Sequence, residues 1–508
     1  MAGAIHVHST QSDGTASQAE IAAAAARAGL QFVVFTDHGD ATRAPVAPRY
    51  VDGVLCLDAV EISTESGHYV AIGLPQAPYR LGGEAAAVAE DVGRLGGFGI
   101  IAHPDSAKRE LAWRDWQTRA DGIEWLNADS AWRGRSWLSL ARTLLGYWVR
   151  PGAALAAMVD RPVETLGRWD AITARRVMPA FAALDAHGGV GRASAEGGRR
   201  GLAGVPSYQA SFESFSTRAI LRRPPVADPV ADAAALLEAL RDGRSYTVVD
   251  GIAAGWIEVS AERPGGSATM GETLTGTGPA VMRVRAAQLP DTDVVIVHDG
   301  SEISRTDGGD AVVAVSQPGA YRVEVGRRGT AGAAPWILTN PIYMDLPGVP
   351  ASPRPAFVAV KSLMDGNWRT EHDPASQAEV VRTASGVTMS FHLEPAQQSP
   401  FAALVVPIER GLVFNGISIG LTSDAPARVS LQFRSADGGD RWRASFVASD
   451  ASEPVTLRLS DFVPVAPTAR PLDSSAAASL LLVADLVNFS PGSRGRFVLH
   501  QLFLGRAE

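Results

Sequence analysis

Histidines and carboxylates are concentrated in the N-terminal half of the chain, at positions where short apolar segments end. Six of the ten histidines lie there: His6, His8, His38, His68, His103 and His187. Four acidic residues accompany them: Asp13, Asp37, Glu61 and Asp185. In barrels that alternate strands with helices, the reactive groups gather at the C-terminal ends of the strands. We therefore expect these side chains to converge on one site.

Two pairs of these residues have a spacing that places both side chains on one side of a strand. Positions i and i+2 of a strand face the same side, which applies to His6 with His8 and to Asp185 with His187. Imidazole and carboxylate groups suit zinc, manganese or iron, and without a metal so many polar groups would carry a desolvation cost. A single histidine in such a position is more often structural, but the joint pattern predicts a centre for divalent cations.

The elements that must position these groups follow from the alternation of apolar strands and Ala-rich helices up to about residue 250. Residues 4–8 and 31–35 have the composition of strands. Ser17 and Glu20 form a capping box that begins a helix ending near Gly29. This alternation predicts an α/β domain with a layered or barrel architecture.

The remainder of the chain has the pattern of all-β domains. From about Gly251 short strands alternate with Gly/Pro turns, which predicts a small immunoglobulin-like β-sandwich over residues 251–345. The stretch 346–355 contains four prolines and is typical of a stiff linker. Residues 356–508 again alternate short strands with polar turns, which predicts a larger jelly roll. The expected organisation is therefore a domain over residues 1–250 followed by two all-β domains.

Length and composition set further limits. A chain of 508 residues exceeds what one hydrophobic core sustains, and 46% hydrophobic with 20% charged residues is an ordinary globular mixture. The net charge of −8 argues against a nonspecific nucleic-acid or anionic-membrane binder. The single cysteine, Cys56, excludes an intrachain disulfide framework. No apolar run reaches the roughly 18 residues of a membrane span, so no such span is expected.

The ordered motifs of the N-terminal part resemble those of the polymerase and histidinol phosphatase (PHP) superfamily of metallohydrolases. The motifs are His6-x-His8, Ser12-Asp13-Gly14, Thr36-Asp37-His38, Glu61, Gly67-His68, Ala102-His103-Pro104 and Asp185-Ala186-His187. The resemblance covers about residues 4–250. It implies a distorted (β/α)7 TIM-like barrel, followed here by two all-β sandwich domains. It also implies two or three divalent metal ions as cofactors: zinc, manganese or iron.

The resemblance further implies which residues would hold the metals. The three sets are His6, His8, Glu61 and Asp185 for one ion, Glu61, His68 and His103 for a second, and Asp13, His38 and His187 for a third. Glu61 would then bridge two ions. Some members have a histidine where this chain has Asp13, so the occupancy of the third site is left open. Asp37 adjoins a ligand, and we expect it to orient that ligand rather than to bind metal.

The implied chemistry is metal-assisted hydrolysis of an ester. Three divalent ions contribute about +6 and three carboxylates about −3, so the occupied site would retain roughly +3 and favour a small anionic substrate. A metal-bound hydroxide that bridges two ions would act as the nucleophile, because the ions lower the pKa of water. The leading hypothesis is a phosphoesterase that acts on phosphomonoesters or phosphodiesters, with no nucleic-acid partner expected.

Two residues outside the metal set are candidates for substrate binding. Arg133 could clamp a phosphate group, and Asn127, at the end of a predicted strand, could reach the site. The alternatives are a surface arginine in a helical insertion and a buried asparagine that caps a neighbouring element. The residue types alone do not decide between these roles.

A different substrate class is kept open by a second resemblance. Residues 61–73, Arg168-Trp169-Asp170 and residues 335–343 are similar to the branch of the superfamily that includes carbaryl hydrolase. Carbaryl is a neutral carbamate. Hydrolysis of a carbamate or carboxylic ester on the same metal site is therefore the alternative.

The C-terminal domain suggests a third function of another class. Its pattern, with Trp368 and Trp442, is similar to galactose-binding-like jelly rolls of carbohydrate-binding modules. An exposed tryptophan could stack on a sugar ring, although both are more often core residues. The second alternative is accordingly a glycan-binding protein with a relic barrel.

The compartment is predicted from architecture alone. Two appended β domains resemble the organisation of exported bacterial enzymes. This favours a secreted or periplasmic protein if the native chain carries a signal that this sequence lacks, and a cytoplasmic protein otherwise. Neither the native metal, nor the physiological substrate, nor the oligomeric state follows from the residue pattern.

Overall fold

The computed structural model describes residues 1–133, 143, 145–193, 199–203, 205–329, 332–346, 356–396, 398–451, 453–465 and 472–508, with side chains at all of these except 133, 190–193 and 199–203. The chain forms two compact units. Unit 1 comprises Met1–Gln76 and Val88–Val349, and unit 2 comprises Ala77–Ala87 and Pro350–Glu508.

Helices form a minority of the described residues. In chain order they are α1 (Gln18–Arg27), α2 (Ala85–Arg94), α3 (Ala128–Arg133), α4 (Pro151–Ala156), α5 (Val163–Thr173), α6 (Tyr208–Phe212) and α7 (Pro229–Arg241), with one 3-10 turn at Leu459–Asp461. The predicted capping box is confirmed: the Ser17 amide donates to the Glu20 carboxylate (2.8 Å), and the Ser17 hydroxyl accepts from the Glu20 amide (3.4 Å). None of the described helices has the length and apolar composition that crossing a membrane requires.

Strands dominate unit 1. In chain order they are β1 (Ala2–Val7), β2 (Phe32–Phe35), β3 (Arg49–Val51), β4 (Val54–Asp58), β5 (Val60–Thr64), β6 (Gly67–Ile72), β7 (Phe98–Ile101), β8 (Gly122–Asn127), β9 (Ala180–Ala183), β10 (Gly189–Ala193), β11 (Arg199–Ala203), β12 (Ser216–Ala219), β13 (Ser245–Val248), β14 (Ile257–Arg263), β15 (Gly266–Thr269), β16 (Thr273–Leu274), β17 (Ala280–Ala286), β18 (Thr292–His298), β19 (Ser301–Asp307), β20 (Asp310–Val315), β21 (Gly319–Arg327), β22 (Ile337–Thr339) and β23 (Ile342–Met344). Strands β1, β2, β4, β7, β8 and β9 are buried along their whole length, as strands covered on both faces are.

Two sheets carry the N-terminal strands of unit 1. The larger, of twelve strands, has the order β16-β23-β21-β22-β13-β12-β1-β2-β4-β3, with β18 paired to β21 and β19 to β18. The smaller has the order β5-β6-β7-β8-β9, in which β7, β8 and β9 run parallel. Isolated bridges connect strand ends of the two sheets at Val7/Ala186 and His38/Glu61. Unit 1 thus mixes helices with extensive sheet, and closure into a (β/α)7 barrel stays a prediction.

A hydrophobic core lies between these strands and helix α7. Phe32 and Phe181 from the two sheets and Leu236 and Leu240 from α7 are buried in one cluster. Burial of side chains of this size contributes about 1.5–3 kcal/mol each relative to exposure. This packing holds the strand ends, and the polar side chains that follow them, in fixed positions.

The strands after residue 250 continue the larger sheet. Strand β13 pairs antiparallel with β22, which pairs in turn with β21, so the hydrogen-bonded ladder runs across the predicted boundary. A separate four-stranded sheet, β15-β14-β17-β20, accompanies it. Residues 257–344 accordingly belong to the same compact unit as the N-terminal strands. An immunoglobulin-like domain of its own over residues 251–345 stays a prediction.

Unit 2 is a β-sandwich. Its strands are β24 (Phe357–Ser362), β25 (Arg369–His372), β26 (Gln377–Thr383), β27 (Gly386–His392), β28 (Phe401–Pro407), β29 (Gly416–Ser423), β30 (Ala427–Arg434), β31 (Arg441–Ala448), β32 (Val455–Arg458), β33 (Val463–Pro464), β34 (Ser479–Asp485) and β35 (Arg494–Ala507). One sheet has the order β26-β27-β35-β29-β32 with β24 on β35, and the other has the order β25-β28-β34-β30-β31-β33. Both sheets contribute to one core, which includes Trp368 and Trp442. The jelly-roll assignment stays a prediction.

Residues 77–87 belong to unit 2, which the sequence pattern did not indicate. Glu84 forms an ion pair with Arg443 of β31 (Oε1 to Nε, 2.9 Å). The Arg80 guanidinium donates to the Leu486 carbonyl (2.9 Å), and the Asn488 amide donates back to the Arg80 carbonyl (3.1 Å). These contacts join positions about 400 residues apart in the chain.

We expect the stability of unit 2 to depend on pH through Glu371. Both terminal guanidinium nitrogens of Arg434 donate to its carboxylate (2.7 and 2.9 Å), and these bonds, with a weaker contribution from Arg369 (2.8 Å), lower the pKa of Glu371 from 4.5 to about 2. Because the pKa of Glu371 is lower in the folded than in the unfolded state, its ionisation stabilises the fold at pH values above the unfolded-state pKa. This stabilisation is lost as the pH falls from 4.5 toward 2. Because the pair is partly exposed, Glu371→Gln should lower the free energy of unfolding at pH 7 by about 1–2 kcal/mol.

Denaturant unfolding of the full chain, followed by hydrogen exchange in β25, β28 and β30, measures this loss. Glu409→Gln is the matched control, because its carboxylate is 72% exposed and pairs with a single lysine. The control should change stability by less than about 0.5 kcal/mol. An equal effect of Glu371→Gln at pH 7 and at pH 3.5 would contradict the assignment.

Candidate metal centre

The structure brings all nine predicted metal-binding side chains together. Four overlapping groups each offer ligand atoms that lie within 4.8 Å of one another. The groups are His8, Asp13, His38 and His187; His6, His8 and Glu61; His6, His103 and Asp185; and His38, Glu61 and His68. Binding of metal by these residues stays a prediction, but their convergence is a property of the fold.

Strand ends and strained turns position these side chains. His6 is in β1, and His8, His103 and Asp185 come one or two residues after β1, β7 and β9. His6, His103 and Asp185 have left-handed backbone, with φ of 65°, 28° and 47°. Such conformations cost about 1–3 kcal/mol each in non-glycine residues and persist where packing imposes them, typically at functional sites. In β1 the register also shifts between Ala4 and Val7, so the two histidines do not follow regular strand alternation.

Two imidazoles and two carboxylates face one point at the bottom of the site. The Nε2 atoms of His6 and His8 are 3.1 Å apart. Glu61 Oε2 lies 3.2 Å from each of these nitrogens. Asp185 Oδ1 lies 3.5 Å from the His6 nitrogen and 3.3 Å from the His8 nitrogen. Nitrogen and oxygen donors converging in this way are the ligand set that zinc, manganese and iron accept.

The second carboxylate oxygen of Glu61 faces a different pair of histidines. Glu61 Oε1 lies 2.7 Å from His68 Nδ1 and 2.8 Å from His103 Nε2. The two oxygens therefore serve two neighbouring clusters, as a bridging ligand would have to do. His38 Nδ1 lies 3.2 Å from Glu61 Oε2, the oxygen that also faces His6 and His8.

The outer cluster surrounds Asp13. Asp13 Oδ1 lies 3.2 Å from His187 Nε2, 3.6 Å from His8 Nδ1 and 3.8 Å from His38 Nε2. The side chains of Asp13 and His38 are 26% and 35% exposed, against 1% for Glu61. The third predicted site is therefore the one nearest to solvent.

The electrostatics of the site favour ionised carboxylates. Burial alone raises the pKa of Glu61 and of Asp185, but the imidazoles around them, His6 foremost, hold both values well below normal. Burial lowers the pKa of His8 and His103, yet the carboxylates outweigh it and raise both to about 9. Burial lowers the pKa of His38, whereas the raised pKa values of His8 and His103 favour protons on these two rings when no metal is bound. Divalent cations would have to displace these protons on binding.

Glu124 supports the site from beneath, a role that the sequence analysis did not assign. Its Oε1 lies 2.5 Å from His6 Nδ1, and its Oε2 accepts from the His103 amide (2.7 Å). By occupying Nδ1, Glu124 directs Nε2 of His6 toward the other ligands. The available signal was an acidic residue inside the apolar run of β8, where an unpaired carboxylate would be costly.

Asp37 organises the loop after β1. Its carboxylate accepts from the Ser9 amide, the Ser9 hydroxyl and the Ser12 hydroxyl, each at 2.7 Å. Ser12 Oγ in turn lies 3.4 Å from His8 Nδ1. Asp37 is thus linked through Ser12 to His8, and the predicted orientation of the adjoining ligand His38 by Asp37 stays a prediction. Tyr208, which the sequence analysis did not single out, donates to the His8 carbonyl (2.8 Å).

The two predicted substrate residues have different outcomes. Asn127 uses its amide within the protein: Nδ2 donates to Glu124 Oε2 (2.9 Å), and Oδ1 accepts from the Ser130 amide (3.0 Å) at the start of α3. This is the capping role weighed as its alternative. Arg133 ends α3, and its side chain lies outside the described residues. Substrate binding by either residue stays a prediction.

Comparison with known proteins gives low similarity throughout. No protein-family model matches the chain, and no curated protein matches it. Among solved structures, the chain is similar to a two-domain protein from Bacteroides vulgatus containing a predicted PHP-like metal-dependent phosphoesterase, at 13% identity and a TM-score of 0.30, covering 67% of this chain and 95% of that one. It is also similar to the family 11 carbohydrate-binding module of the cellulase Lic26A-Cel5E of Clostridium thermocellum, at 16% identity and a TM-score of 0.23, covering 29% and 96%. Similarity at this level does not establish a shared function.

We expect Glu124→Gln to weaken metal binding without abolishing the fold. The amide keeps the shape of the side chain but removes the charge that orients His6, and residues in this position typically contribute 10–100-fold in affinity, so a loss of about that size is expected. Competition with a chelator, read by metal analysis of the protein, measures the change. Glu164→Gln, at an 86% exposed position, is the control. Unchanged metal affinity in Glu124→Gln would show that this carboxylate does not act on the ligands.

Proposed function

We propose that the protein is a metal-dependent hydrolase of phosphate esters. The observation that carries the proposal is the convergence of nine imidazole and carboxylate side chains, from distant parts of the chain, on one partly buried cluster. Apolar side chains would stabilise the fold at this position with a smaller desolvation cost, because buried charges need compensation. Divalent cations supply that compensation.

The donor set fits two or three cations. His6, His8, Glu61 and Asp185 would hold one, Glu61 with His68 and His103 a second, and Asp13, His38 and His187 a third. When bound, such ions lower the pKa of water toward neutrality and polarise an ester oxygen. Glu61 would keep two cations side by side, and Glu124 would keep Nε2 of His6 free for binding.

Charge favours phosphate esters as substrates. The three ligand carboxylates contribute about −3 against about +6 from three ions or about +4 from two, so the loaded site stays positive. A positive, partly buried centre attracts an anion more strongly than a neutral ester. The exposed side of the site, at Asp13 and His38, is where such a substrate would enter.

A neutral carbamate or carboxylic ester remains the alternative substrate class. The segments that suggested the carbaryl-hydrolase branch have structural contacts: the Trp169 indole donates to the Met178 carbonyl (2.8 Å), and Asn340 exchanges hydrogen bonds with the backbone of Ala180 (2.7 and 3.2 Å). They anchor the start of β9. The third segment, residues 61–73, contains the candidate ligands Glu61 and His68, which either substrate class would need, so none of the three segments gives information on the substrate and kinetics must decide.

Replacement of a central ligand tests the proposal. We expect His8→Ala and Glu61→Gln to lower kcat/KM for 4-nitrophenyl phosphate by more than about a hundredfold, because even residues that only orient metal ligands contribute 10–100-fold. Metal content should fall in parallel. His500→Ala, an exposed histidine of unit 2, is the control.

Two results would overturn the proposal. One is a purified protein that retains no divalent metal after metal loading, and the other is full hydrolysis by His8→Ala. The same assays with 1-naphthyl carbamate and 1-naphthyl acetate decide the substrate class. A higher kcat/KM for either neutral ester than for the phosphate would favour the carbamate or carboxylic esterase.

Glycan binding by unit 2 is the second candidate function. A pocket of about 480 Å³ lies on the sheet that contains β28, β30 and β34, and its lining includes Glu371, Phe401, Gln432 and Arg441. Its polar groups could bond to sugar hydroxyls, and Phe401 is the aromatic residue that could stack on a ring. Trp368 and Trp442 are 8% and 1% exposed, so they are core residues and do not offer a stacking surface.

A glycan array with the full chain tests this candidate. We expect any glycan that binds to be lost or weakened at least about tenfold in Arg441→Ala, since this exposed side chain lines the pocket and a lost charged hydrogen bond costs about 1.5–3 kcal/mol. Arg494→Ala, on an exposed position of β35, should bind normally. Absence of glycan binding, or equal binding by both variants, argues against the pocket.

A further inference from the structure

A second pocket of unit 1 lies at the end of the smaller sheet that is remote from the candidate metal centre. Its volume is about 670 Å³. Residues directly before β7, β8 and β9 line it, including Gly97, Asp121 and Pro179. These strands run parallel, and the metal-centre residues follow their opposite ends. Five residue steps separate Phe98 from His103, which is about 17 Å along an extended strand.

Three arginines line this pocket: Arg119, Arg176 and Arg241. Arg241, the last residue of α7, donates to the Gly96 carbonyl (2.5 Å). The hydrogen bonds of Arg176 within the described residues are long: its guanidinium donates to the Val177 carbonyl (3.4 Å) and to Met178 Sδ (3.7 Å). Within the part of the chain that the structure describes, no carboxylate forms a salt bridge with any of the three. We name this set the arginine pocket.

One acidic residue, Asp121, also lines the pocket, and it offsets only part of the positive charge: its carboxylate raises the pKa of Arg176 against the opposing effects of burial and of Arg119. Asp121 Oδ2 accepts from the Gly99 amide (2.9 Å), so this oxygen already has a partner. Three guanidinium groups and one carboxylate leave the arginine pocket with a net positive charge. The pocket is therefore complementary to an anion with more than one negative charge.

The like charges in the pocket act against each other. Burial, and next the charge of Arg119, lower the pKa of Arg176, which is half-buried. Arg119 and Arg241 are exposed, and holding their guanidinium groups close to half-buried Arg176 costs energy unless a counter-ion compensates it. A planar guanidinium group can donate two parallel hydrogen bonds to two phosphate oxygens, which a lysine ammonium group cannot do. The presence of three arginines therefore favours a phosphate group as the counter-ion.

We propose that the arginine pocket binds a phosphate-bearing small molecule, whose dianionic group contacts Arg119, Arg176 and Arg241. The volume lies in the range of small-molecule sites and leaves room for an organic group beside the phosphate. Because the pocket opens at the strand ends remote from the metal centre, its ligand is distinct from a substrate of that centre. The proposal does not depend on the proposed function.

Arginine modification with phenylglyoxal, mapped by mass spectrometry on the full metal-loaded chain, tests the proposal at residue resolution. The probes are inorganic phosphate and phenylphosphonate, whose carbon–phosphorus bond resists ester hydrolysis. At a probe concentration about ten times Kd, modification of the three arginines should slow about tenfold, because only the unbound fraction reacts. Exposed Arg283 of β17 should react at the same rate with and without either probe. Equal protection by both probes identifies free phosphate, and stronger protection by phenylphosphonate identifies an organic phosphate.

The variant Arg119→Gln provides the decisive comparison, since Arg119 is exposed and its replacement removes charge without removing core packing. We expect protection of Arg176 and Arg241 in this variant to require at least about tenfold more probe, the equivalent of about 1.4 kcal/mol. Two results would overturn the proposal. One is no protection at probe concentrations up to about 10 mM, which is ten times the Kd of a complex with a Kd of about 1 mM. The other is undiminished protection of Arg176 in Arg119→Gln.

Discussion

One buried carboxylate organises the candidate site. The two oxygens of Glu61 lie between 2.7 and 3.2 Å from ring nitrogens of five histidines: His6, His8, His38, His68 and His103. A carboxylate that is 1% exposed is costly unless positive charge compensates it. The surrounding imidazoles must therefore carry protons or share cations with it.

The sheets of unit 1 supply the rigidity that such a cluster needs. His6, His103 and Asp185 keep left-handed backbone conformations, and each is attached to a strand that is buried along its length. The packing energy of these strands offsets the local strain. Glu124 adds a second constraint from β8, because one carboxylate contacts both His6 and the backbone of His103. The ligand geometry is thus a consequence of the core, and small shifts in the core would be transmitted to it.

The same parallel strands connect two sites of opposite character. Their C-terminal ends lead to His103, Asp185 and His187 of the metal-centre cluster, and their N-terminal ends carry the arginine pocket. The first is suited to cations and the second to anions. Side chains after residue 250 reinforce this arrangement, since Asn340 binds the backbone where β9 begins.

Residue type and spacing singled out ten histidine and acidic side chains and the capping box at Ser17, because strand ends and helix starts have local signatures. The family resemblance then selected from these ten the nine side chains that converge at the candidate site. The same local signals located the strand-rich C-terminal half. They did not reveal the contact of Glu124 with His6, which joins residues 118 positions apart, or the inclusion of residues 77–87 in unit 2. The local signals also did not reveal that the larger sheet of unit 1 continues across residue 250, through the pairing of β13 with β22. These features depend on which distant segments pack together, and that choice is made by the burial and hydrogen bonding of the whole chain.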